Sequence, residues 1–256
     1  MEKSGPNFYD EAHVFDAYSK LRSQPQSANE TIEQPILWDL IGSSQGMDVL
    51  DLGCGDANVS KRHQISGARS YVGVDGAKRM IALAQKNIQP GFSQIYHFDL
   101  LEFDYPKESF DLVTASLSLH YIRDLRALLE KIYFSLRPNG RLIFSVEHPV
   151  ITSCNLSLDQ NTQRESWIVD NYFSQGSRTV QWMGDTVTKY HRTIEEFLSL
   201  LKNAGFGLEN LKEGQPEEKF FENKMLFARR QRIPLFLIIE ARKRDVAAQA
   251  PSRSKL

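Results

Sequence analysis

The chain has 256 residues, which is enough for one α/β domain with an insertion or for two small domains. Hydrophobic residues make up 41% and charged residues 25%, as is usual for a soluble globular protein with a sizeable core. The formal net charge of -1 provides no net attraction to nucleic acid or to an anionic membrane. The two cysteines, Cys54 and Cys154, lack CxxC or metal-ligand spacing, so we expect a reducing compartment and no metal site.

The spacing of apolar residues predicts helices and strands in a regular order. A helix over residues 11–21 is followed by a polar stretch over 23–31 and by a short helix over 36–41, which begins after Pro35. Short apolar strands then alternate with amphipathic helices; the strands are predicted at 47–52, 70–74, 94–98, 110–115 and 141–146, and the helices at 58–65, 77–87 and 124–136. This alternation predicts a parallel, doubly wound α/β sheet.

The alternation breaks after the fifth predicted strand. Residues 150–189 are rich in Ser, Asn, Gln and aromatic residues, which predicts an insertion, partly a strand hairpin, near the active site. A helix over 194–204 resumes the pattern, and strands near 208–211 and 235–241 complete it. The insertion therefore interrupts one sheet and does not begin a second domain.

Both ends of the chain are polar. Residues 1–11 do not resemble a secretory signal, and the longest apolar run, 234–239, is far too short to span a bilayer, so we expect a cytoplasmic protein without membrane contacts. Residues 247–256 are predicted to be a disordered tail. This tail ends in Ser254-Lys255-Leu256, a peroxisomal import signal in eukaryotes, so a peroxisomal location stays open as the alternative.

A glycine turn follows the first predicted strand. Gly53 and Gly55 let a ligand approach the backbone closely, at the switch point where doubly wound sheets bind ligands. Asp51, just before them, would repel a pyrophosphate but suits a ligand with an ammonium and a sulfonium group. A dinucleotide-binding pattern also requires glycine where Asn58 stands. Asp75, at the end of the second strand, can accept hydrogen bonds from ribose hydroxyls, which supports a nucleoside ligand.

From about Tyr18 to Arg242 the sequence resembles the class I S-adenosylmethionine (SAM)-dependent methyltransferases. The matching cofactor-binding positions are Asp51, Gly53 and Gly55 in the first motif, Asp75 for the ribose, Met80 against the adenine, Asp99 and Leu100 beside the adenine amino group, and Ser116 at the end of the fourth strand. Leu136–Leu142 matches the turn before the fifth strand, whereas Ala57 departs from the glycine of many members. The resemblance implies SAM as cofactor.

The resemblance also implies a fold and its division along the chain. The expected fold is a Rossmann-like, mostly parallel seven-stranded sheet with an insertion after the fifth strand. The expected regions are an N-terminal helical cap over 1–46, the SAM-binding core over 47–149, an insertion or substrate lid over 150–192, and the remainder of the core sheet over 193–246.

The methyl acceptor is expected to be a small molecule that is methylated on an oxygen or nitrogen atom. The fourth strand ends without the Asn/Asp-Pro-Pro-aromatic motif of amino-methylating DNA enzymes, and no Pro-Cys nucleophile is present. A protein or RNA methyltransferase and a catalytically silent SAM-binding regulatory protein stay open as alternatives. Asp51 and Asn58 disfavour a nicotinamide-dependent oxidoreductase.

Two histidines are candidate catalytic bases. His120 follows the fourth strand and His148 follows the fifth, and ligands bind at these carboxyl ends. The alternatives are a histidine bonded to backbone for His120 and a turn shaped by Pro149 for His148. The candidate acceptor-binding residues are Tyr18, Arg22, Tyr121, Tyr190 and His191. Thr193 is predicted to form a capping box that begins the next helix.

Overall fold

The computed structural model describes residues 5–22, 24–157 and 166–244. Its helices are α1 (Gly5–Tyr9), α2 (Ala12–Arg22), α3 (Gln34–Ile41), α4 (Val59–Ile65), α5 (Lys78–Asn87), α6 (Leu125–Ser135), α7 (Pro149–Thr152), α8 (Ile194–Asn203) and α9 (Lys224–Arg230). Its strands are β1 (Asp48–Leu52), β2 (Ser70–Asp75), β3 (Ser93–His97), β4 (Phe110–Ser116), β5 (Leu136–Glu147), β6 (Gly176–Trp182), β7 (Asp185–His191), β8 (Phe206–Lys212) and β9 (Phe236–Lys243).

Within the described residues, seven strands form one sheet in the order β3-β2-β1-β4-β5-β9-β8. The first five strands are parallel, and β9 is antiparallel to both β5 and β8. This confirms the predicted doubly wound, mostly parallel sheet. The strand order reverses at β1, so ligands are expected at the carboxyl ends of β1 and β4.

Alternate residues of the central strands point to opposite faces of the sheet, and helices cover both faces. Leu50 and Val113 belong to the core cluster beneath α6 and α8, which provide apolar residues such as Leu128. Val49 belongs to the opposite cluster, together with Trp38 of α3. Burial on both sides explains why the strands read as continuous apolar runs.

The fifth strand begins earlier than expected. The sequence predicts a helix ending near residue 136 and a strand over 141–146, whereas β5 follows α6 directly. Pairing with β4 shifts between Phe110 and Leu112, and Asn139 has a φ of +63°. Residues 137–140 thus form an irregularity within the strand, where Pro138 donates no ladder hydrogen bond.

Several short elements were absent from the sequence prediction, among them α1, α7, α9 and a π-helical turn over Asn29–Glu33 in the supposed polar loop. They are too short for apolar periodicity to reveal them. Asn223 begins α9 by accepting hydrogen bonds from the amides of Met225 and Leu226. Thr193 caps α8 as predicted, by accepting from the amide of Glu196. The tail, including Ser254-Lys255-Leu256, lies outside the described residues.

A roof lies over the sheet edge where β4 and β5 end. It joins α1 and α2 to the β6–β7 hairpin, the predicted hairpin of the insertion, through the buried residues Phe8, Val14 and Val187. Tyr121, which follows β4, packs against the same cluster. Among the helices of the described ranges, none has the length and apolarity needed to cross a bilayer.

Candidate active site

The glycine turn after β1 has the tight backbone that its sequence predicts. Gly53 and Gly55 have left-handed φ angles of +73° and +54°. A Cβ atom placed on Gly53 would lie 2.4 Å from Cβ of Ser118, so a side chain does not fit there. Ala57 also adopts a left-handed φ, of +53°, although it has a side chain. The turn therefore carries strain of roughly 1–2 kcal/mol at this position.

Asp75 connects the glycine turn to the end of β2. Its Oδ2 accepts a hydrogen bond from the amide of Gly55 (2.9 Å) and its Oδ1 accepts one from the amide of Ala77 (2.8 Å). Burial raises the pKa of the Asp75 carboxyl group. Each carboxylate oxygen has two lone pairs, so both oxygens retain acceptor capacity for two ribose hydroxyls.

Asp51 lies inside the sheet and is 4% exposed. Its carboxylate accepts hydrogen bonds from the hydroxyls of Tyr71 (2.6 Å) and Thr114 (2.9 Å). Desolvation raises the pKa of Asp51 to about 6, and the neighbouring carboxylates of Asp75 and Glu33 act in the same direction. These three acids define a negative region, the acidic edge, which favours a positively charged ligand.

Glu33 was missed by the sequence prediction, which assigned its surroundings to a loop-to-helix boundary. The residue is fully buried, and its Oε1 accepts hydrogen bonds from the hydroxyls of Ser116 (2.9 Å) and Ser145 (2.6 Å). Its Oε2 accepts from Nε2 of Gln34 at 2.7 Å. Glu33 thereby ties the N-terminal cap to the ends of β4 and β5. It lies in a π-helical turn, a feature that often marks functional sites.

Tyr18 and Arg22 of α2 lie beside the acidic edge. A Cβ atom on Gly55 would lie 4.0 Å from the Tyr18 hydroxyl. Arg22 interacts electrostatically with Glu33 and lies 4.0 Å from the carboxylate of Glu30. The sequence analysis grouped both residues with the acceptor, whereas the structure places them next to the predicted cofactor residues.

The predicted adenine residues lie at the ends of β2 and β3. Met80 is 3% exposed and Leu100 is 7% exposed, so both provide buried apolar surface. Asp99 is exposed, and its Oδ1 accepts a hydrogen bond from the amide of Leu101 at 2.8 Å. Asp99 therefore caps the turn after β3, at the edge of the same region.

His120 lies in a 3₁₀ turn after β4 and is 3% exposed. Its Nδ1 atom has no hydrogen-bond partner among the described residues. Burial lowers the pKa of His120 to about 4, so the ring is neutral at pH 7. Within the described ranges no backbone group forms a hydrogen bond with this ring, which weakens the alternative that backbone bonding alone fixes it.

The other two candidate histidines have both ring nitrogens occupied. In His148, Nδ1 accepts from the amide of Val150 (3.2 Å) and Nε2 bonds Oε1 of Glu213 (3.1 Å). In His191, Nδ1 bonds the Thr152 hydroxyl and Nε2 bonds the backbone oxygen of Tyr172, both at 2.8 Å. These bonds fix the two rings in the structure. Of the three histidines, His120 is the one with an unbonded nitrogen.

Polar and aromatic residues surround His120. The Tyr121 hydroxyl lies 3.1 Å from that of Tyr9 in α1. Nζ of Lys189 in β7 donates to Oε1 of Glu147 at 2.6 Å. Tyr190 lies under the guanidinium of Arg192, 5.9 Å from ring centre to carbon. Glu147 stands before His148 in a Glu-His-Pro sequence that resembles a subgroup of small-molecule methyltransferases, but the sequence analysis assigned no role to Glu147, Lys189 or Arg192.

The residues at the acidic edge fit S-adenosylmethionine. The turn at Gly53 leaves no room for a side chain, so the backbone itself forms the cradle. Asp75 provides acceptors for a ribose, and Asp51 and Glu33 provide negative charge for an ammonium and a sulfonium group.

We predict that Gly53→Ala will lower the free energy of unfolding more than Gly46→Ala, the matched control. Gly46 also has a positive φ, of +70°, but no atom lies within 4 Å of its added Cβ. Both variants should lose roughly 1–2 kcal/mol from the left-handed backbone, and Gly53→Ala about 1–3 kcal/mol more from the contact with Ser118. Denaturant unfolding measures both. Equal losses would show that the turn has room for a methyl group.

Comparison with known proteins identifies a methyltransferase family. A methyltransferase-domain family model matches residues 50–144, which span β1 to most of β5. A Haemophilus influenzae protein is 33% identical over 216 residues, covering 80% of this chain and 85% of that protein. The crystal structure of an S-adenosylmethionine-dependent methyltransferase from Mesorhizobium loti has 29% identity and a TM-score of 0.76, and covers 87% of this chain and 99% of the other.

A more distant relative is the demethylmenaquinone methyltransferase of Lactococcus lactis, which is 23% identical over 211 residues, or 77% of this chain and 82% of that protein. The family match, the structural likeness and the geometry of the glycine turn all lead to one assignment. The chain belongs to the class I SAM-dependent methyltransferases, and its cofactor is S-adenosylmethionine.

Proposed function

We propose that this enzyme transfers the methyl group of SAM to an oxygen or nitrogen atom of a small-molecule acceptor. The observation that carries this proposal is the roof over His120. Phe8, Val14 and Val187 are each fully buried where the cap meets the β6–β7 hairpin. A site covered by two segments of its own chain suits a small acceptor better than a polymer, which needs an open groove. The name of the Lactococcus lactis relative refers to a small-molecule acceptor, which supports the same class.

In the proposed mechanism the acidic edge binds and orients the cofactor. Bound SAM supplies an electrophilic methyl group: a bond from the acceptor oxygen or nitrogen to the methyl carbon forms as the carbon–sulfur bond breaks, and its electron pair stays on sulfur. Asp75 would hold the ribose, and Asp51 and Glu33 would provide negative charge for the ammonium and sulfonium groups. The roof excludes water from the reacting atoms. His120 takes up the acceptor proton on a ring nitrogen.

The function is tested with methyl-labelled SAM and a metabolite extract. We expect label in the small-molecule fraction after ultrafiltration. Label that stays with protein or RNA would instead support a polymer substrate, and absence of transfer despite SAM binding would indicate a silent binding protein.

The negative control in that assay is Asp75→Ala, a variant with weakened SAM binding. Hydrogen bonds to a charged group contribute about 1.5–3 kcal/mol, so SAM affinity should fall roughly tenfold or more, and transfer at limiting SAM should fall with it. Calorimetry measures the affinity. An affinity within twofold of the unchanged enzyme would remove Asp75 from the cofactor site.

The buried acid Asp51 leads to a prediction about the pH dependence of SAM binding. The pKa of Asp51 is about 6 because burial disfavours its charge, so the group is protonated below this pH and cannot attract the positive charges of SAM. SAM affinity should therefore fall roughly tenfold between pH 7 and pH 5. In the cofactor-free protein, protonation of Asp51 stabilises the fold, because the folded state binds the proton more tightly than the unfolded state does. This contribution to the free energy of unfolding is lost as the pH rises through about 6.

Calorimetric titration across this pH range measures the effect. Asp51→Asn is the control, because an amide does not titrate here and its affinity should be flatter with pH. A profile that is equally steep with and without the Asp51 carboxylate would place the titrating group elsewhere.

A third prediction concerns His120. His120→Ala should lower turnover of the acceptor by about 10²–10⁴-fold and leave SAM affinity unchanged. Because the pKa of His120 is about 4, the ring is neutral above this pH. With SAM kept saturating at every pH, the acid limb of the unchanged enzyme's kcat profile should therefore lie near pH 4–5 instead of near 6.5.

His148→Ala provides the comparison for His120. The ring of His148 is 2% exposed and bonded at both nitrogens, so its loss should lower the melting temperature and leave the pH profile in place. If His148→Ala removes the acid limb while His120→Ala retains it, the base is His148.

A further inference from the structure

Three buried cationic or imidazole side chains lie together beneath the roof, and we name them the donor cluster: His120, Lys189 and Arg192. They come from the turn after β4, from β7 and from the segment just after β7. Their exposed fractions are 3%, 3% and 8%. The fold thus brings together basic groups that lie about 70 positions apart in the sequence.

The donor cluster has unused hydrogen-bonding capacity. Nδ1 of His120 and Nη1 of Arg192 are buried and have no hydrogen-bond partner among the described residues. Nη2 of Arg192 donates to the backbone oxygens of Ile122 and Arg123, both at 2.7 Å, which fixes the guanidinium in place. Buried polar groups are nearly always bonded in native proteins, so two unpartnered groups at one place call for a ligand.

The charges around His120 favour an anion. Burial lowers the pKa of His120; the carboxylate of Glu147 raises it, and the positive charges of Lys189 and Arg192 lower it. That carboxylate is paired with Lys189 at 2.6 Å. The acids Glu196 and Asp124 act on Arg192 from its other neighbours. Arg192 is held by backbone oxygens through Nη2, and its buried Nη1 has no partner among the described residues, so an anionic ligand would meet a fixed and unsatisfied positive group here.

The surroundings of Lys189 are aromatic. Its Nζ lies 5.3 Å from the ring centre of Trp182 and 5.8 Å from that of Tyr121. The ammonium forms a hydrogen bond with Glu147 but has three N–H groups, so it can donate to a ligand as well. An apolar, ring-lined position next to a fixed cation suits a planar acceptor that carries a negative oxygen.

We propose that the methyl acceptor presents an anionic oxygen to His120, Lys189 and Arg192. This inference rests on the proposed function, because it places the acceptor next to the proposed base. The oxygen belongs either to a carboxylate that anchors the acceptor or to an acidic hydroxyl, a phenol or enol, that is itself methylated. A cationic amine is disfavoured, because it would meet two positive charges at close range.

The test uses simple aromatic probes and the protein saturated with S-adenosylhomocysteine. Benzoate represents the anchoring carboxylate and 4-nitrophenol the acidic hydroxyl; benzamide and benzylamine are the neutral and cationic controls. We expect at least one anionic probe to bind tenfold or more tightly than both controls in calorimetry, since hydrogen bonds to charged groups are the strong ones. For 4-nitrophenol, the phenolate absorbance should appear at lower pH on binding.

The variant arm removes the cation. Lys189→Met should lose at least tenfold in affinity for the anionic probe, and Lys189→Arg, which keeps a positive charge, should bind that probe more tightly than Lys189→Met does. Lys219→Met is the matched control. It removes the same charge from an exposed ion pair, in which Lys219 lies 2.7 Å from Glu217, and Lys219 is not part of the donor cluster. SAM affinity is measured for each variant as the check on folding.

The outcomes separate this inference from the proposed function. If SAM binds and neither anionic probe is preferred over benzylamine and benzamide, the inference fails and the proposed function stands. If Lys189→Met binds the preferred anion as tightly as Lys219→Met does, Lys189 has no part in recognition and the inference also fails. If SAM does not bind at all, the proposed function fails first. In a separate reaction that contains SAM in place of S-adenosylhomocysteine, conversion of 4-nitrophenol to its methyl ether assigns the anionic oxygen as the acceptor atom. Preference for benzoate without methylation of 4-nitrophenol assigns the oxygen as an anchor.

Discussion

The carboxylate of Asp51 constrains the arrangement of the whole site. It lies inside the sheet, where the parallel register places Asp51 beside Gly73 on one side and Thr114 on the other. A buried charge is unfavourable unless hydrogen bonds or an opposite charge compensate it. Tyr71 and Thr114 provide the hydrogen bonds, and in the proposed mechanism the positive groups of the cofactor would provide the opposite charge. The glycines that follow turn sharply and carry no side chains, so that a ligand can pass close to the backbone and reach this carboxylate.

The residues on the two sides of the site differ in charge. Asp51, Asp75 and Glu33 form the acidic edge, and burial raises the pKa of each. The donor cluster lies on the other side, in the turn after β4, in β7 and just after β7, and contains the cations Lys189 and Arg192. A cationic methyl donor and an anionic acceptor would each lie where the protein's own charges favour them. The attraction between donor and acceptor would then add to the alignment that the roof imposes.

The N-terminal cap contributes residues both to the cofactor region and to the acceptor region. Glu33 reaches Ser116 and Ser145 at the ends of β4 and β5, and Tyr18 lies over Gly55. On the acceptor side, Tyr9 contacts Tyr121 through its hydroxyl. Movement of the cap would therefore change the cofactor and acceptor regions together. The link between Asp10 and Arg79, through two hydrogen bonds of 3.0 and 2.8 Å, fixes the cap to α5.

Local sequence patterns were enough to predict the sheet, the glycine turn and the acids at the ends of β1 and β2. These features are local: apolar runs mark buried strands, and Gly53, Gly55 and Asp75 have meaning from their positions next to a strand end. The start of β5 was misplaced because Pro138-Asn139-Gly140 signals a turn, and only pairing with β4 shows that the strand passes through it.

Which side chains lie together at the site depends on tertiary packing and could not be predicted from the sequence. Glu33, Lys189 and Arg192 have no local signal, since their partners lie far away in the sequence. In the sequence, His120 and His148 both follow a strand and look equivalent. In the structure, Glu213 and Val150 form hydrogen bonds with the ring of His148, whereas no described residue forms one with Nδ1 of His120. Burial and hydrogen bonding depend on packing between distant segments, and a pattern of neighbouring residues carries no information about them.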